Sequence, residues 1–279
     1  MDIRRAIGWL GQTLITAGVL ILLFVAYQLW GTNLAEARSQ RALEDDFRTV
    51  LEQQPIDPSE ALPPAPEGEA VAIIKIPKID IEKVVVEGVT VADLKKAPGH
   101  YPDTPMPGQP GNAAIAGHRT TYGAPFSDLD KLEPGDPITV STLQGTFRYE
   151  TTEVKVVSPS AVEVLEPTDD NRLTLTTCHP RYSAAQRMIL TAALVGPAAE
   201  PSPRFVERRV AIDEGLSGDP AARGPAALWG GLAALVYLAI YLIGRRWRKW
   251  PAYLLGAPVL LVVLFFFFEN FARLLPANY

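Results

Sequence analysis

The longest apolar runs of this chain lie at its two ends. Residues 6–30 carry no charged side chain, and neither do residues 226–244 or 252–268. A helix of about 20 residues is long enough to cross the hydrocarbon core of a bilayer. The pattern therefore predicts three transmembrane helices, at 6–30, 226–244 and 252–272. Apolar runs of this length exclude an ordinary soluble protein.

Basic side chains beside these runs predict their orientation. Two arginines lie in residues 1–5, and four cations lie in the short loop 245–251. Because basic residues concentrate on the cytoplasmic side of membrane proteins, both segments are predicted to be cytoplasmic. Residues 31–225 and the tail 273–279 would then lie outside the cell. This is the pattern of a multi-pass cell-membrane protein whose central region is extracytoplasmic.

The first apolar run has a second interpretation, as a cleaved signal peptide. Ala35-Glu36-Ala37 resembles the small-residue site at which such peptides are cut. The run is longer than the apolar part of a signal peptide, which favours a retained span. Cleavage stays open at this point, but the two C-terminal helices would hold the protein in the membrane in either case.

Two different patterns follow one another in residues 31–70, which we interpret as an extracytoplasmic stem and a proline-rich linker. Apolar side chains at helical spacing predict an amphipathic helix over 34–52. Five prolines then occur within residues 53–70, together with few large apolar side chains. Such a composition is typical of an extended spacer.

Short β-branched runs separated by turn formers fill residues 71–196. They lie at 71–76, 79–86, 113–116, 137–142, 145–157, 172–177 and 187–195. Many short strands without long helical patterns are typical of a closed β-barrel or a sandwich. The predicted fold class is therefore all-β, flanked by the membrane helices. Residues 197–225 are rich in proline, glycine and charge, which predicts a second linker.

Composition and charge exclude several classes of function. The chain has 26 basic and 31 acidic residues and a formal net charge of -5, which argues against a nucleic-acid-binding surface. It has one cysteine, so it can form neither an intrachain disulfide nor a CxxC site for zinc or redox chemistry.

The single cysteine is the centre of the candidate chemistry. Cys178 follows the strand-like run 172–177, His118 follows another, and Arg187 begins the last. A thiolate is the attacking form of cysteine and is stabilised by a neighbouring imidazolium, while a guanidinium can hold an oxyanion. Together they would form a covalent acyl-transfer site. The alternative is that Cys178 is a buried, small apolar side chain.

The other two histidines are weaker candidates than His118. His179 is adjacent to Cys178, and successive strand residues point to opposite faces of a sheet. If the strand continues through this position, the imidazole therefore lies on the other face from the thiol. His100 lies in a Pro- and Gly-rich stretch, where a packing role is the simpler interpretation.

The motifs around these residues resemble those of the sortases. Residues 174–178 read TLTTC, which matches the TLxTC signature, and residues 116–118 read AGH, which matches the histidine motif. Arg187 lies where the sortase arginine is expected. Together with residues 117–123 and 178–183, the chain is most similar to the class E sortases of actinobacteria, over residues 71 to about 195.

This resemblance implies a fold and an activity. Sortases fold as a closed eight-stranded β-barrel and act as membrane-tethered cysteine transpeptidases. They cleave a C-terminal sorting signal between Thr and Gly, and an amine resolves the acyl-enzyme. The implied partners are secreted proteins with such a signal, a lipid II-like peptidoglycan precursor or another amine acceptor, and the membrane, but no nucleic acid. Class E enzymes are similar in preferring LAxTG to LPxTG, and the preference of this chain stays open.

The resemblance also implies roles for individual residues. Cys178 corresponds to the nucleophile, and His118 to the general acid that protonates the leaving amine and then acts as a base. Arg187 would orient the substrate and stabilise the oxyanion. Thr177 is a candidate second contributor to the oxyanion site, and Tyr101 and Tyr122 are candidates for the wall of the substrate groove. These six residues are the ones predicted to form the site.

Two further features narrow the expected type of sortase. Asp57-Pro58 is followed by Ser59, whereas a pilin-polymerising sortase with a lid carries an aromatic residue there. A housekeeping role in anchoring proteins to the cell wall is therefore favoured over pilin polymerisation. The acidic loop 159–171 is more typical of a solvated surface than of a calcium site. We expect no cofactor and no metal, with calcium the less favoured alternative.

Three classes of function remain in competition. The favoured one is the transpeptidase, followed by an extracytoplasmic cysteine peptidase that only hydrolyses its substrate, and then by a non-enzymatic membrane scaffold. The first two need the same cysteine, histidine and arginine, so the sequence does not separate them. The scaffold would be expected to lack at least one of the three.

Overall fold

The computed structural model describes residues 3–53, 60, 65–202, 220–246 and 249–274. They fall into two compact units. One is helical and lies within residues 1–32 and 216–277; the other contains the barrel and lies within residues 33–215.

The helical unit consists of three long apolar helices. These are α1 (Ile3–Ala26), which continues into a π-helical turn (Tyr27–Gly31), α4 (Arg223–Arg246) and α5 (Lys249–Ala272). All three are long and apolar enough to cross a membrane, which confirms the three predicted spans in length and composition. Large apolar side chains such as Leu14 and Leu254 lie on the outer surface, as expected for helices that face lipid. Residues 247–248 of the predicted basic loop lie outside the described residues.

The second unit is built around a closed barrel of eight strands. The strands are β1 (Ala70–Ile76), β2 (Ile81–Glu87), β3 (Gly99–His100), β4 (Asn112–Ala116), β5 (Pro137–Thr142), β6 (Gly145–Val157), β7 (Arg172–His179) and β8 (Gln186–Val195). Their order around the barrel is β1-β2-β3-β4-β7-β8-β6-β5, and β5 pairs with β1 to close it. The predicted eight-stranded barrel is confirmed.

Alternating apolar residues of these strands fill the barrel. Ile74, Ile115, Tyr149 and Leu175 are at most 1% exposed and belong to one continuous core. Burial of such side chains is the main favourable contribution to folding, about 1.5–3 kcal/mol for each large aliphatic or aromatic residue. The barrel thereby forms a rigid frame for the residues at its strand ends.

Two pairs of strands are parallel, β2 with β3 and β4 with β7. In the second pair Ala116 is in register with Thr176. The carboxyl ends of both strands therefore lie at the same edge of the barrel, with His118 just beyond one and Cys178 near the end of the other. Antiparallel pairing of β7 with β8 places Cys178 opposite Arg187.

A helix of the second unit packs on the outside of the barrel. It is α2 (Thr32–Gln53), and it corresponds to the helix predicted over 34–52. Phe47 is buried against Ile73 and Val84, with Leu43 and Leu51 beside it. Gln40 adds hydrogen bonds to the backbone of Val84, donating to its carbonyl and accepting from its amide. The apolar stripe of this helix thus covers the barrel, and α2 is not a free-standing stem.

Several sequence-based expectations need correction. The chain as a whole is not all-β, because α1, α2, α4 and α5 are long helices; the class applies to the barrel alone. The sequence pattern missed β3, a two-residue strand within a Pro- and Gly-rich stretch, and α3 (Val91–Leu94), a single turn. Both elements are too short to produce a periodic pattern.

The predicted linkers are only partly described. Of the first linker, residues 54–59 and 61–64 lie outside the described residues, and so does most of the second, residues 203–219. The described start of the second linker packs on the barrel. The backbone amide of Ala199 donates to the carbonyl of Gly108, and the side-chain hydroxyl of Ser202 accepts from the side-chain amide of Gln109.

Candidate active site

Cys178 lies in β7, close to the end of the strand. Its side chain is buried, with 7% of the residue exposed. The neighbouring strand places Arg187 directly opposite. One guanidinium nitrogen of Arg187, Nη1, donates to the carbonyl oxygens of Ala184 and Gln186 at 3.0 and 3.1 Å. These bonds orient the guanidinium beside the thiol.

Hydrogen bonds on both sides hold His118 at the end of β4. Before it, the amide of Gly117 donates to the carbonyl of Thr176, and the hydroxyl of Thr177 donates to the carbonyl of Gly117 at 2.7 Å. After it, the amide of Phe126 donates to the carbonyl of His118. The bonds of Gly117 therefore hold the backbone next to His118 against β7, the strand that carries Cys178.

The three predicted catalytic residues open onto one cavity. It has a volume of about 920 Å³. Its wall includes Tyr101, His118, Thr176, Thr177, Cys178 and Arg187. Apolar side chains of the β6–β7 connection, such as Val162 and Leu165, form another part of the wall. A thiol, an imidazole and a guanidinium that converge in one cleft are a set of groups suited to covalent acyl transfer.

Burial favours the uncharged forms of both the thiol and the imidazole. It raises the pKa of the Cys178 thiol, an effect that the positive charges of Arg187 and Arg119 oppose. Burial also lowers the pKa of His118 to about 4, and the nearby charge of Lys95 contributes to this shift. At neutral pH the pair therefore rests as a thiol and a neutral imidazole. Nε2 of His118 is buried and has no hydrogen-bond partner among the described residues.

The other three residues predicted for the site occupy different positions. Tyr101 lies in the cavity wall, where its hydroxyl and that of Thr176 are 3.2 Å apart, and burial raises its pKa. Thr177 also lines the cavity, but its only hydroxyl proton is used in the bond to Gly117. Tyr122 packs on His118, with ring centroids 5.1 Å apart and an interplanar angle of 36°.

Sequence reasoning missed Arg119, which lies behind the cysteine. It is 4% exposed. Its Nη1 donates to Nδ1 of His179 at 2.7 Å and to the carbonyl of Cys178 at 3.4 Å, and its Nη2 is 3.3 Å from a carboxylate oxygen of Asp130. The only signal in the sequence was its position directly after His118.

Both other histidines are held by neighbours of their own. A guanidinium can only donate, so Nδ1 of His179 accepts from Arg119 and is not free to take a proton from a thiol. His100 is 1% exposed, and its ring nitrogens are 2.8 Å from a carboxylate oxygen of Glu87 and 2.9 Å from the carbonyl of Pro105. These contacts are consistent with a packing role.

The acidic loop 159–171 contains a short 3-10 helix, Val162–Leu165, and an ion pair between Asp170 and Arg172. Within the described parts of the chain, no group of three or more His, Cys, Asp or Glu side chains is arranged to hold a metal ion.

Comparison with known proteins finds similarity to the sortases. The model of the sortase domain matches residues 74–195. Sortase SrtE1 of Streptomyces coelicolor is 38% identical over 206 residues, which cover 67% of this chain and 56% of that protein. Sortase SrtE2 of the same organism is 32% identical over 209 residues, which cover 68% of this chain and 83% of that protein.

Among solved structures, a sortase D5 transpeptidase from Clostridium perfringens is 33% identical and aligns with a TM-score of 0.48. The alignment covers 58% of this chain and 99% of that one. The chain spans little more than half of SrtE1 but most of SrtE2. On its identity with SrtE2 over most of that protein, the chain belongs to the sortase family of cysteine transpeptidases and has class E sortases among its relatives.

Proposed function

We propose that this protein is a membrane-anchored sortase that cleaves a C-terminal LAxTG- or LPxTG-like signal between Thr and Gly. It then transfers the protein to an amine of the cell wall. The observation that carries the proposal is the convergence of Cys178, His118 and Arg187 on one cavity. Each of the three lies at the end of a different strand, so the packing of the barrel core does not by itself require their side chains to face the same cavity.

The first half of the reaction forms an acyl-enzyme. The Cys178 thiol passes its proton to Nε2 of His118, and the sulfur attacks the carbonyl carbon of the Thr–Gly bond. Arg187 donates hydrogen bonds to the oxyanion that develops. When the C–N bond breaks, the leaving glycine nitrogen takes the proton from the His118 imidazolium, and a thioester remains on Cys178.

The second half transfers the acyl group. An incoming amine attacks the thioester carbonyl and gives a proton to His118, which now acts as a base. The C–S bond breaks, and the sulfur regains its proton from the imidazolium. The product is a new amide, and the enzyme returns to its uncharged resting pair. Water in place of the amine would give hydrolysis instead.

Location and partners follow from the same proposal. The three apolar helices anchor the protein, with the barrel on the extracytoplasmic side, where secreted substrates and a lipid II-like amine are available. No cofactor takes part, because the cysteine, histidine and arginine supply the nucleophile, the acid–base group and the oxyanion site. Thr177 acts mainly by tying Gly117 to β7, since its hydroxyl proton is used in that bond.

The test is mass spectrometry of the purified full chain in detergent. We would incubate it with an LAxTG peptide and with an LPxTG peptide, each with and without triglycine. We expect an adduct on Cys178 that passes to triglycine, and the ratio of the two products gives the motif preference. An adduct that is released only as free acid would identify a hydrolase.

The matched control is Cys178→Ala. It removes one buried sulfur and leaves the strand pairing in place, so we expect a folded protein that forms no adduct. Full activity in this variant would overturn the assignment of the nucleophile. Failure of the unaltered chain to form an adduct with either peptide would contradict the proposed substrate.

A further inference from the structure

The first turn of α2 contacts the loop that follows His118. The amide of Gly123 donates to the side-chain oxygen of Asn33 at 2.9 Å. The carboxylate of Glu36 lies against the α-carbon of the same glycine, because a Cβ atom placed on Gly123 would be 2.4 Å from a carboxylate oxygen. Two polar side chains of one helical turn thus meet the loop at a single residue.

The loop has an unusual backbone at this point. Tyr122, Gly123 and Ala124 have φ values of +50°, +75° and +42°. Residues other than glycine rarely adopt this left-handed region, and such a conformation persists only where the surroundings over-determine it. Asn33 and Glu36 of α2 both contact Gly123 at the centre of this segment.

The conformation of this loop determines where Tyr122 lies. Its ring packs on the imidazole of His118 at 5.1 Å, and Nζ of Lys95 lies 5.8 Å from its centroid. The imidazole therefore has an aromatic neighbour that depends on the left-handed segment. A change at Gly123 would move the ring that limits the orientation of His118.

Glu36 is an unexpected residue for a helix that only needs to cover a barrel. Its side chain is 2% exposed, and one carboxylate oxygen is 2.6 Å from Nζ of Lys83. Removing a carboxylate from water is costly even when it is paired. The apolar contacts of Phe47 already attach the helix to the barrel. The ion pair of Glu36 with Lys83 helps to dock α2 on β2, but docking does not account for the contacts that Asn33 and Glu36 make with Gly123.

We propose that Asn33 and Glu36 are positioning residues of the active site. They hold Gly123 so that the left-handed segment keeps Tyr122 against His118, and they thereby set the orientation of the imidazole. This inference rests on the role proposed above for His118. It adds the start of α2, a helix outside the barrel, to the structure that supports the reaction.

The first test compares two full-chain variants in detergent. Asn33→Ala removes the acceptor for Gly123, and it does not weaken the helix itself because alanine has the higher helix propensity. Phe47→Leu weakens the docking of α2 far from the loop. We expect Asn33→Ala to lower kcat on the order of tenfold through misplacement of a catalytic group, with little change in KM, and Phe47→Leu to lower thermal stability but not kcat.

The second test is a double-mutant cycle with Tyr122→Leu. If Asn33 acts through Tyr122, Asn33→Ala should have almost no further effect on kcat in the Tyr122→Leu background. A purely structural role for Asn33 would give independent, multiplicative losses. Equal kcat losses in Asn33→Ala and Phe47→Leu would also overturn the inference.

A third readout does not depend on activity. The chain has three histidines, so the 13Cε1 resonance of His118 can be assigned by its loss in His118→Gln. Asn33→Ala should shift this resonance towards its position in Tyr122→Leu, whereas Phe47→Leu should leave it unchanged. If the unaltered chain proves inactive, this shift still tests the inference separately from the proposed function; an unmoved resonance would contradict it.

Discussion

Cys178 and His118 lie in surroundings that favour their uncharged forms, although thiolate attack requires the charged form of the cysteine. Burial raises the pKa of the thiol and lowers that of the imidazole to about 4. The thiolate–imidazolium ion pair carries the same number of protons as the thiol with the neutral imidazole. It is therefore a minor form, and its fraction does not change with pH between the two pKa values.

The buried imidazole predicts an acid-sensitive stability. His118 titrates near pH 6.5 when unfolded and at about 4 when folded. Between these values the unfolded chain binds the additional proton, so the free energy of unfolding falls as the pH is lowered from 6.5 to 4. The full loss is on the order of 3 kcal/mol.

Urea unfolding of the barrel, followed by circular dichroism at pH 7 and pH 4, measures this effect. His118→Gln lacks the titrating group. The difference between the two proteins in the pH dependence of the free energy of unfolding therefore gives the contribution of His118. The same dependence in both proteins would show that His118 is not buried in its neutral form.

Arg187 is expected to resist conservative replacement. Its Nη1 is used in two bonds to backbone carbonyls, and the rest of the planar fork can face the cavity at the same time. A lysine ammonium is a point charge that cannot do both. We expect Arg187→Lys to lose most of its transpeptidation, measured as kcat/KM with a sorting-signal peptide. Near-normal turnover would assign the arginine a structural role.

At the scale of the elements, the parallel pairing of β4 and β7 brings the histidine and the cysteine to the same edge. The hydroxyl of Thr177 reinforces this pairing where β4 has ended, because it donates to the carbonyl of Gly117 across the strands. This bond is buried and leads directly into His118.

Loss of that bond is expected to impair the reaction more than the fold. Thr177→Val keeps the shape and removes the donor, which leaves the Gly117 carbonyl unsatisfied at a cost of about 1–3 kcal/mol. We expect a lower kcat in the peptide assay, whereas Thr177→Ser, which keeps the hydroxyl, should stay close to the unaltered chain. Equal activity in the two variants would contradict this role.

At the scale of the whole molecule, the three apolar helices and the barrel form separate compact units. The proposed topology places the barrel outside the cell and the α4–α5 loop inside. Cys178→Ala leaves the chain without cysteine, so single cysteines can be introduced into it as probes. Ser160 in the β6–β7 connection and Arg246 at the end of α4 are both exposed.

In intact cells, a membrane-impermeant maleimide is expected to label Ser160→Cys. Arg246→Cys should react only after the membrane is permeabilised. Both cysteines would replace exposed residues, so a difference in labelling reports the side of the membrane and not burial. Labelling of Arg246→Cys in intact cells would contradict the orientation that the basic residues predict.

Local features of the sequence were sufficient to predict much of this protein. Uncharged runs of membrane-spanning length predicted α1, α4 and α5, and β-branched runs predicted seven of the eight strands. The scarcity of cysteine and histidine pointed to Cys178 and His118, and the resemblance to the sortase motifs supported both and added Arg187. The predictions of helices and strands depend on the length and the periodicity of apolar runs, which can be read from residues that are close together in the sequence.

Only the tertiary structure decided which distant residues meet. Asn33 and Gly123 are 90 positions apart, and Arg119 is 59 positions from the carbonyl of Cys178 that it contacts. The uncharged resting state of the thiol and the imidazole likewise comes from their burial, which the folded barrel imposes. Contacts and desolvation depend on how the elements pack in space, so neither is encoded in any local pattern of the chain.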